Sequence, residues 1–377
     1  MSHAWRAAHA RAQSRLARPA SGGSVAPAHM GASEKQPNGG RLGWVEVGRG
    51  IAALTVVFAH FPPVPDTWLG STLNPGGMGV EFFFLLSGFI ILHVHRAELG
   101  APGSLGRYAW RRAGRIFPAY WAVLVLVLLF NQTLQAAEYR VPLSASYLAS
   151  QALLLPGETL IGPAWTLRHE LLFYGLFGAA IIHPRVGLVV LGAWLAAILG
   201  SLPFIGLSSM HTVTASEVLL DHYNIDFFLG MGMAVALQRG GVAWVTGTAL
   251  AIATIALGHW AFHGFPADAP TEVFGYKALF LAALGGVILL SVHEMRAPAA
   301  LLTLGTISYS LYLSNRDLGF MAQRVLRRLG MERLVHTWPA FAITSVLAVI
   351  VAYAFHVVVE KPAIAWVSSR PWAKKRA

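Results

Sequence analysis

The sequence predicts an all-α integral membrane protein, a polytopic bundle of about ten transmembrane helices. Of its 377 residues, 55% are hydrophobic and only 12% are charged, against about 25% charged in an ordinary soluble domain. The mean hydropathy is +0.56. The apolar residues also form separate runs of the length that crosses a bilayer. Together these three observations favour the membrane class over a soluble fold.

Each predicted helix corresponds to one apolar run, because a bilayer span needs about 20 mostly apolar residues. The runs lie, in chain order, at 43–61, 78–95, 114–131, 164–183, 186–204, 224–239, 242–261, 274–293, 301–320 and 338–358. The sixth run is short, and a further segment at 146–156 is too short to span and is expected at the interface. Connections of a few residues, such as Arg239-Gly-Gly, predict antiparallel neighbours.

The 28 lysine and arginine residues indicate the orientation of the bundle. With the N-terminus inside, most of them fall in the terminal tails and the inner loops, which is the distribution typical of the cytoplasmic side. Both termini are therefore expected in the cytoplasm. The basic cluster at 324–333 does not follow this rule. Either it forms an amphipathic helix on the outer surface, or the last spans have other boundaries.

The domain organisation follows from the same pattern. Residues 1–40 are polar and basic without an apolar core of signal-peptide length, which predicts a disordered cytoplasmic tail. Residues 41–366 form the predicted membrane domain, and 367–377 form a second basic cytoplasmic tail. The topology accounts for the formal charge of +11, so nucleic-acid binding is not expected.

Three features of the sequence argue against a metal or ligand site. The chain has no cysteine, which excludes disulfides and thiolate zinc sites. His93 and His95 are two positions apart, a poor helical spacing for a metal site, and they are expected at the inner interface. The pair Gly230 and Gly232 is typical of close helix packing. No metal site is therefore predicted.

Several polar residues lie inside the predicted spans, where ionisable groups are costly and usually functional. Arg49 and His60 occupy the inner and outer ends of the first span, about 16 Å apart along the helix axis. Three further cations, Arg168, Lys277 and Arg316, also fall within spans. The topology places a second set toward the outer side: Glu81, Trp165, His169, Glu170, Tyr312, Asn315 and Arg316.

An arginine cluster lies at the inner start of the third span. Arg111 and Arg115 are four positions apart, and Arg112 and Arg115 are three apart, so all three share one helix face. Guanidinium groups arranged in this way suit phosphates. Positive-inside topology alone would also place basic residues here, and this segment by itself leaves both interpretations open.

Five ordered motif regions resemble the membrane acyltransferase-3 family of bacterial O-acyltransferases, which modify surface polysaccharides and other hydroxylated acceptors. The resemblance covers about residues 43–366. Its motifs are VGRGIAALTVVFAH, GVEFFFLLSGFII, RRAGRIFPAYW, WTLRHELLFY, and the C-terminal GTISYSLYLSN with VEKP. Three positions depart from the family pattern. Glu46 stands in a segment that usually carries Asp-Gly, Glu81 replaces an aspartate, and Asn315 replaces the histidine of a Tyr-x-x-His pattern.

The resemblance implies an acyl-CoA donor, with acetyl as the group that the family favours, and a carbohydrate or lipid-linked glycan hydroxyl as acceptor. It also implies a multi-pass protein of the bacterial inner membrane, in contact with membrane lipid. Arg111, Arg112 and Arg115 lie where the phosphates of CoA would arrive. Arg49, deeper in the membrane, would hold a phosphate or the pantetheine arm.

His60 is the predicted general base, because an imidazole with a pKa near 6.5 can accept a hydroxyl proton at neutral pH. Glu81 is expected to hold the other ring nitrogen and select the tautomer, as carboxylates do in other histidine-based sites. The residues expected to position the acceptor or support the site are Glu170, Trp165, Tyr174, Tyr312 and Asn315. The sequence does not decide between direct transfer and an acyl-enzyme intermediate.

Two other interpretations are compatible with the same residues. A transporter or flippase of an envelope precursor would also bury arginine, histidine and glutamate. The chain lacks the paired halves with interrupted helices that are typical of many transporters. A relative without activity is the third possibility, because Asn315 stands where the family has histidine.

Overall fold

The computed structural model describes residues 42–60, 78–135, 137–205, 214–263, 270–328, 330 and 337–370. The predicted tail at 1–40, most of the tail at 367–377, and part of the basic cluster at 324–333 lie outside the described residues. Within the described ranges the chain forms thirteen α-helices and no strand. The predicted all-α class is therefore confirmed for this part of the chain.

The helices follow the apolar runs of the sequence closely. They are α1 (Gly43–His60), α2 (Met78–His95), α3 (Leu105–Leu134), α4 (Ala145–Ala152), α5 (Ala164–Ile182), α6 (Pro184–Ile205), α7 (Ala215–Leu220), α8 (Asn224–His263), α9 (Pro270–Val292), α10 (Ala299–Thr306), α11 (Ser308–Arg328), α12 (Trp338–Phe355) and α13 (Lys361–Ser369).

Three boundaries differ from the predicted ones, and a fourth agrees. The third helix begins at Leu105, ahead of the apolar run, because the arginine-rich segment is itself helical. The predicted single helix at 301–320 is wrong, since α10 ends at Thr306 and α11 begins at Ser308. A π-helical turn, His356–Glu360, joins α12 to α13. Helix α8 breaks at Gly241, whose φ of 62° suits a glycine, and this is the turn predicted between 239 and 242.

Five helical stretches in the described part of the chain have the length and composition to cross a membrane. They are Gly79–Glu98, Pro102–Leu134, Pro184–Phe204, Ala215–Ala249 and Trp338–Ser369. The other helices are shorter or carry more polar side chains, as α1 does with Glu46, Arg49 and His60. The protein is thus a membrane protein, while the count of ten spans stays a prediction.

Close helix packing holds the centre of the bundle together. Helix α2 packs along α8, α8 packs on α9, and α1 contacts α2, α10 and α11. At the crossing of α2 and α8, Gly230 lies against the carbonyl of Leu85, and Gly88 lies against the carbonyl of Phe227. A side chain at either glycine would collide with backbone, which explains small residues at a close crossing. Gly232 faces open space, so only Gly230 has the predicted packing role.

Candidate functional site

A cavity of about 460 Å³ lies among helices α1, α2, α3, α5, α11 and α13, and we call it the central cavity. Its wall along α2 runs from Val80 to Ile91, about 16 Å at the helical rise of 1.5 Å per residue. Most of this wall is apolar, and Ser87 is its polar member. The charged lining residues are Glu46, Arg49, Arg111, Arg112, Arg115 and Glu170.

One end of the central cavity carries the arginines. Because α3 follows α2 after a short connection, Arg111, Arg112 and Arg115 lie beside the C-terminal end of α2. Helix α13 packs on the same segment, where the indole Nε1 of Trp110 donates to the carbonyl of Val367 at 3.1 Å. Folding therefore gathers the predicted phosphate-binding residues at one end of a single cavity.

Arg49 joins this end from α1. Its Nη1 contacts both carboxylate oxygens of Glu46, at 3.1 and 3.3 Å, and its side chain is 14% exposed. Arg115 has Glu46, Glu170 and Glu360 as its acidic electrostatic neighbours. Acidic residues thus offset part of the arginine charge at this end of the central cavity.

Arg112 is held over the ring of Tyr174, with its Cζ 5.6 Å from the ring centroid. Its Nη2 lies 3.0 Å from Nε2 of His95. Its Nε is buried and has no hydrogen-bond partner in the part of the chain that the structure describes. A buried guanidinium N–H without a partner is unfavourable. The guanidinium belongs to a residue that lines the central cavity.

Glu170 is the carboxylate in the middle of the central cavity. Its Oε1 accepts hydrogen bonds from the hydroxyl of Tyr174 and from Oγ of Ser87, the latter at 3.1 Å. Beyond it, Thr166 and Tyr312 close the far end with their hydroxyls 2.8 Å apart. Three of the residues predicted to position the acceptor or support the site therefore line the central cavity: Glu170, Tyr174 and Tyr312.

Comparison with known proteins identifies the family. Residues 42–357 match the sequence model of the acyltransferase-3 family, described as an acyltransferase domain. The chain belongs to this family. The resemblance predicted from the sequence motifs is confirmed, and the protein is an acyltransferase.

Two curated relatives support the assignment. The chain is 26% identical over 295 residues to the "Exopolysaccharide production protein ExoZ" of Rhizobium meliloti (strain 1021), a match that covers 74% of this chain and 80% of that protein. It is 26% identical over 167 residues to "Protein 2 in picA locus" of Rhizobium radiobacter, covering 38% of this chain and 85% of that protein. No solved structure matches the chain.

The two predicted catalytic residues of this acyltransferase lie apart from the central cavity lining. His60 is the last residue of α1, and its Nδ1 lies 2.7 Å from the carbonyl oxygen of Val56. Since a carbonyl only accepts, Nδ1 carries the proton and Nε2 is the basic nitrogen of the neutral ring. The Val56 carbonyl therefore selects the tautomer of His60, a role that the sequence analysis assigned to Glu81.

Glu81 belongs to a buried ionic cluster. Lys277 of α9 donates to Oε1 of Glu81 at 3.3 Å and to Oδ2 of Asp226 at 2.7 Å, and it lies 5.2 Å from the ring centroid of Tyr223. All three charged side chains are less than a tenth exposed. Sequence reasoning missed this cluster. The available signal was that Lys277 and Asp226 are charged residues inside two predicted spans.

The remaining predicted residues lie beside the site. Trp165 packs its ring against Tyr223, with centroids 5.4 Å apart. Asn315 donates to the backbone carbonyls of Leu311 and Tyr312, each at 2.9 Å. Its Oδ1 is buried without a hydrogen-bond partner among the described residues. The amide therefore bonds to its own helix, at the position where the family resemblance predicts a histidine.

Two polar groups of this acyltransferase were not among the predicted site residues. Ser87 bonds to Glu170, although helical serines usually return their hydroxyl to the preceding turn, and its lone hydroxyl within FFFLLSGF was the signal. Glu360, in the VEKP motif, accepts from Ser310 at 2.6 Å and lies 2.9 Å from Nδ1 of His356. In the described part of the chain, no group of three or more metal-ligating side chains is placed to hold a metal ion.

Proposed function

We propose that the protein is a membrane O-acyltransferase that moves an acyl group, acetyl in the first instance, from cytoplasmic acyl-CoA to a hydroxyl of a carbohydrate or lipid-linked glycan. The observation that carries the proposal is the central cavity, with arginines at one end, a mostly apolar wall along α2 opposite Glu170, and a hydroxyl pair at the other end. Acyl-CoA has a matching order of parts: its phosphates would face the arginines, its thin arm would lie along the α2 wall, and its acyl group would reach the hydroxyl pair.

The arginine end is the proposed phosphate site. Arg111, Arg112 and Arg115 present guanidinium groups, which pair with phosphate oxygens through two parallel N–H bonds. Arg49 extends the same positive surface deeper into the bundle. The distribution of lysine and arginine supports a cytoplasmic position for this end, with both termini inside and the protein in the bacterial inner membrane.

The far end of the central cavity is the proposed site of the thioester. Val80 lines this end, and its neighbour Gly79 packs against Thr55 and Val56 of α1. Val56 is the residue whose carbonyl fixes the ring of His60. The proposed catalytic histidine thus lies one helical turn beyond the end of the central cavity.

In the proposed direct transfer, Nε2 of His60 takes the proton of the acceptor hydroxyl while the hydroxyl oxygen attacks the thioester carbonyl. The carbon–sulfur bond breaks, and the CoA thiolate receives the proton from His60. An ester and free CoA result, with no net gain or loss of protons. Glu81 supports this end through Lys277 and Asp226, which tie α2 to α8 and α9.

The acceptor is proposed to be a saccharide. The relative from Rhizobium meliloti is named for exopolysaccharide production, which supports a hydroxyl-rich polymer or its lipid-linked precursor. Tyr312, at the far end of the central cavity, is the proposed polar contact for the acceptor, with Glu170, Tyr174, Trp165 and Asn315 as supporting residues. A phenol hydroxyl is suited to hydrogen-bond with a sugar hydroxyl.

The test is transfer of labelled acetyl from acetyl-CoA into the envelope and glycolipid fractions of membranes. Wild type, His60→Ala and the matched control His293→Ala would be compared at equal expression, since His293 is exposed in a loop away from the cavity. We expect transfer in wild type and the control and none in His60→Ala. Equal transfer in all three contradicts the role of His60. Glycan flux into vesicles without any acyl donor would favour the transporter.

A further inference from the structure

We infer that His95 and Glu98 are positioning residues that orient the guanidinium of Arg112 toward the phosphates of the donor. This inference rests on the proposed acyl-CoA site. His95 ends α2, and Glu98 lies in the short 3₁₀ turn Arg96–Glu98 that follows it. Both residues are buried, with His95 2% and Glu98 7% exposed.

The geometry forms one continuous chain of hydrogen bonds. Oε2 of Glu98 lies 2.8 Å from Nδ1 of His95, and Nε2 of His95 lies 3.0 Å from Nη2 of Arg112. The second carboxylate oxygen of Glu98 accepts from Arg107 at 3.0 Å. Glu98 therefore links two arginines of the third helix, one directly and one through the imidazole.

The partners on both sides dictate a single tautomer of His95. An ionised carboxylate can only accept and a guanidinium can only donate, so Nδ1 must carry the ring proton and Nε2 must be the acceptor. The imidazole, held by Glu98 through Nδ1, thus presents its neutral Nε2 as the hydrogen-bond acceptor for Arg112. A carboxylate in direct contact with Arg112 would neutralise it, whereas the neutral ring orients it and leaves its charge for a ligand.

The other contacts of Arg112 complete the arrangement. Tyr108 packs edge-on against the His95 ring, with centroids 5.0 Å apart, and its hydroxyl donates to the carbonyl of Tyr174 at 3.1 Å. The ring of Tyr174 in turn lies against the guanidinium. Arg112 is therefore fixed by His95 and Tyr174 while its Nε has no hydrogen-bond partner in the described structure. Since Arg112 also lines the central cavity, its guanidinium is held where a phosphate would bind.

A structural role for the same network is the competing explanation, because it also ties the end of α2 to α3. The two explanations differ in which donors they affect. A positioning role concerns the phosphates alone, so it matters for acetyl-CoA and not for acetylpantetheine, which lacks them. A structural role would reduce the use of both donors equally.

The experiment measures kcat/KM for both donors in membranes holding wild type, His95→Phe, His95→Gln or the control His93→Gln. We expect His95→Phe to lose about tenfold or more with acetyl-CoA, as expected for a lost hydrogen bond to a charged group, and less than twofold with acetylpantetheine. Glutamine can donate to Glu98 and accept from Arg112, so His95→Gln should restore use of acetyl-CoA. His93, stacked on Phe89 with ring centroids 5.3 Å apart, should be insensitive.

Three results would decide against the inference. Equal loss with both donors means a structural role, and no loss in His95→Phe means that Arg112 does not depend on His95. If wild type binds no acetyl-CoA in an equilibrium binding assay, the donor assignment itself fails and the positioning role fails with it. Should His95→Phe not fold, as judged by size-exclusion chromatography, Glu98→Gln takes its place with the same donor-selective loss expected.

Discussion

Replacing Lys277 with methionine should destabilise this acyltransferase strongly. Lys277 is 2% exposed and donates to Glu81 at 3.3 Å and to Asp226 at 2.7 Å. Methionine fills a similar volume but provides no donor and no charge. The substitution therefore leaves two buried carboxylates, each of which already has one oxygen without a hydrogen-bond partner in the described structure.

The magnitude follows from the burial of the cluster. Removing one partner of a buried ion pair costs about 3–5 kcal/mol, because the charge left behind has no compensating group. For a protein of this size, such a loss corresponds to a fall in Tm on the order of 10 °C. The triple substitution of Lys277→Met with Glu81→Gln and Asp226→Asn removes the charges together and should recover most of the stability.

Thermal unfolding of the purified protein, followed by its tryptophan fluorescence, measures this effect. Lys361→Met is the matched control, because Lys361 is exposed at the start of α13, and its Tm should change little. An unchanged Tm in Lys277→Met would refute the argument that the cluster holds α2 against α8 and α9. A lowered Tm with no recovery in the triple variant would show that packing of the lysine stem, and not charge pairing, is what matters.

Two further predictions test the helix crossing and the cavity wall. Gly230→Ala should force α2 and α8 apart, because its Cβ would meet the carbonyl of Leu85, and should lower the free energy of unfolding by about 1–3 kcal/mol. Gly232→Ala is the control, since its Cβ would point into open space. The Tm of Gly230→Ala should be the lower of the two, and equal values would contradict the prediction. Tyr174→Phe should lower kcat/KM for acetyl transfer about tenfold by removing a hydrogen bond to the Glu170 carboxylate. Full activity in Tyr174→Phe would show that this bond is not used.

Local features of the chain predict the helices well. Apolar runs bounded by glycine, proline and charged residues coincide with α1, α2, α5, α6 and α12 to within a few residues. The prediction fails where local pattern and packing disagree. The sequence predicts one helix over 301–320, yet the chain leaves the helix at Ile307, where the backbone of Gly305 packs against α1 at Glu46.

The arginines of the candidate site were predictable because helical spacing fixes which residues share a face. Arg111, Arg112 and Arg115 do line one cavity with Glu170, Tyr174 and Tyr312. The partners of the charged groups were not predictable. Depth in the membrane placed Glu81 near His60, but depth does not specify the direction in which a side chain points around the helix axis. Glu81 points to Lys277, which is 196 positions away in the chain.

The sequence by itself therefore determined the membrane class, the positions of most helices, the family, and the residues that carry charge within the spans. These properties depend on composition, local periodicity and ordered motifs. Only the tertiary structure decided that His95 orients Arg112, that Ser87 bonds to Glu170, and that Lys277 joins Glu81 to Asp226. Each of these contacts joins different helices, and helix rotation and crossing, which set such contacts, arise from the packing of the whole bundle.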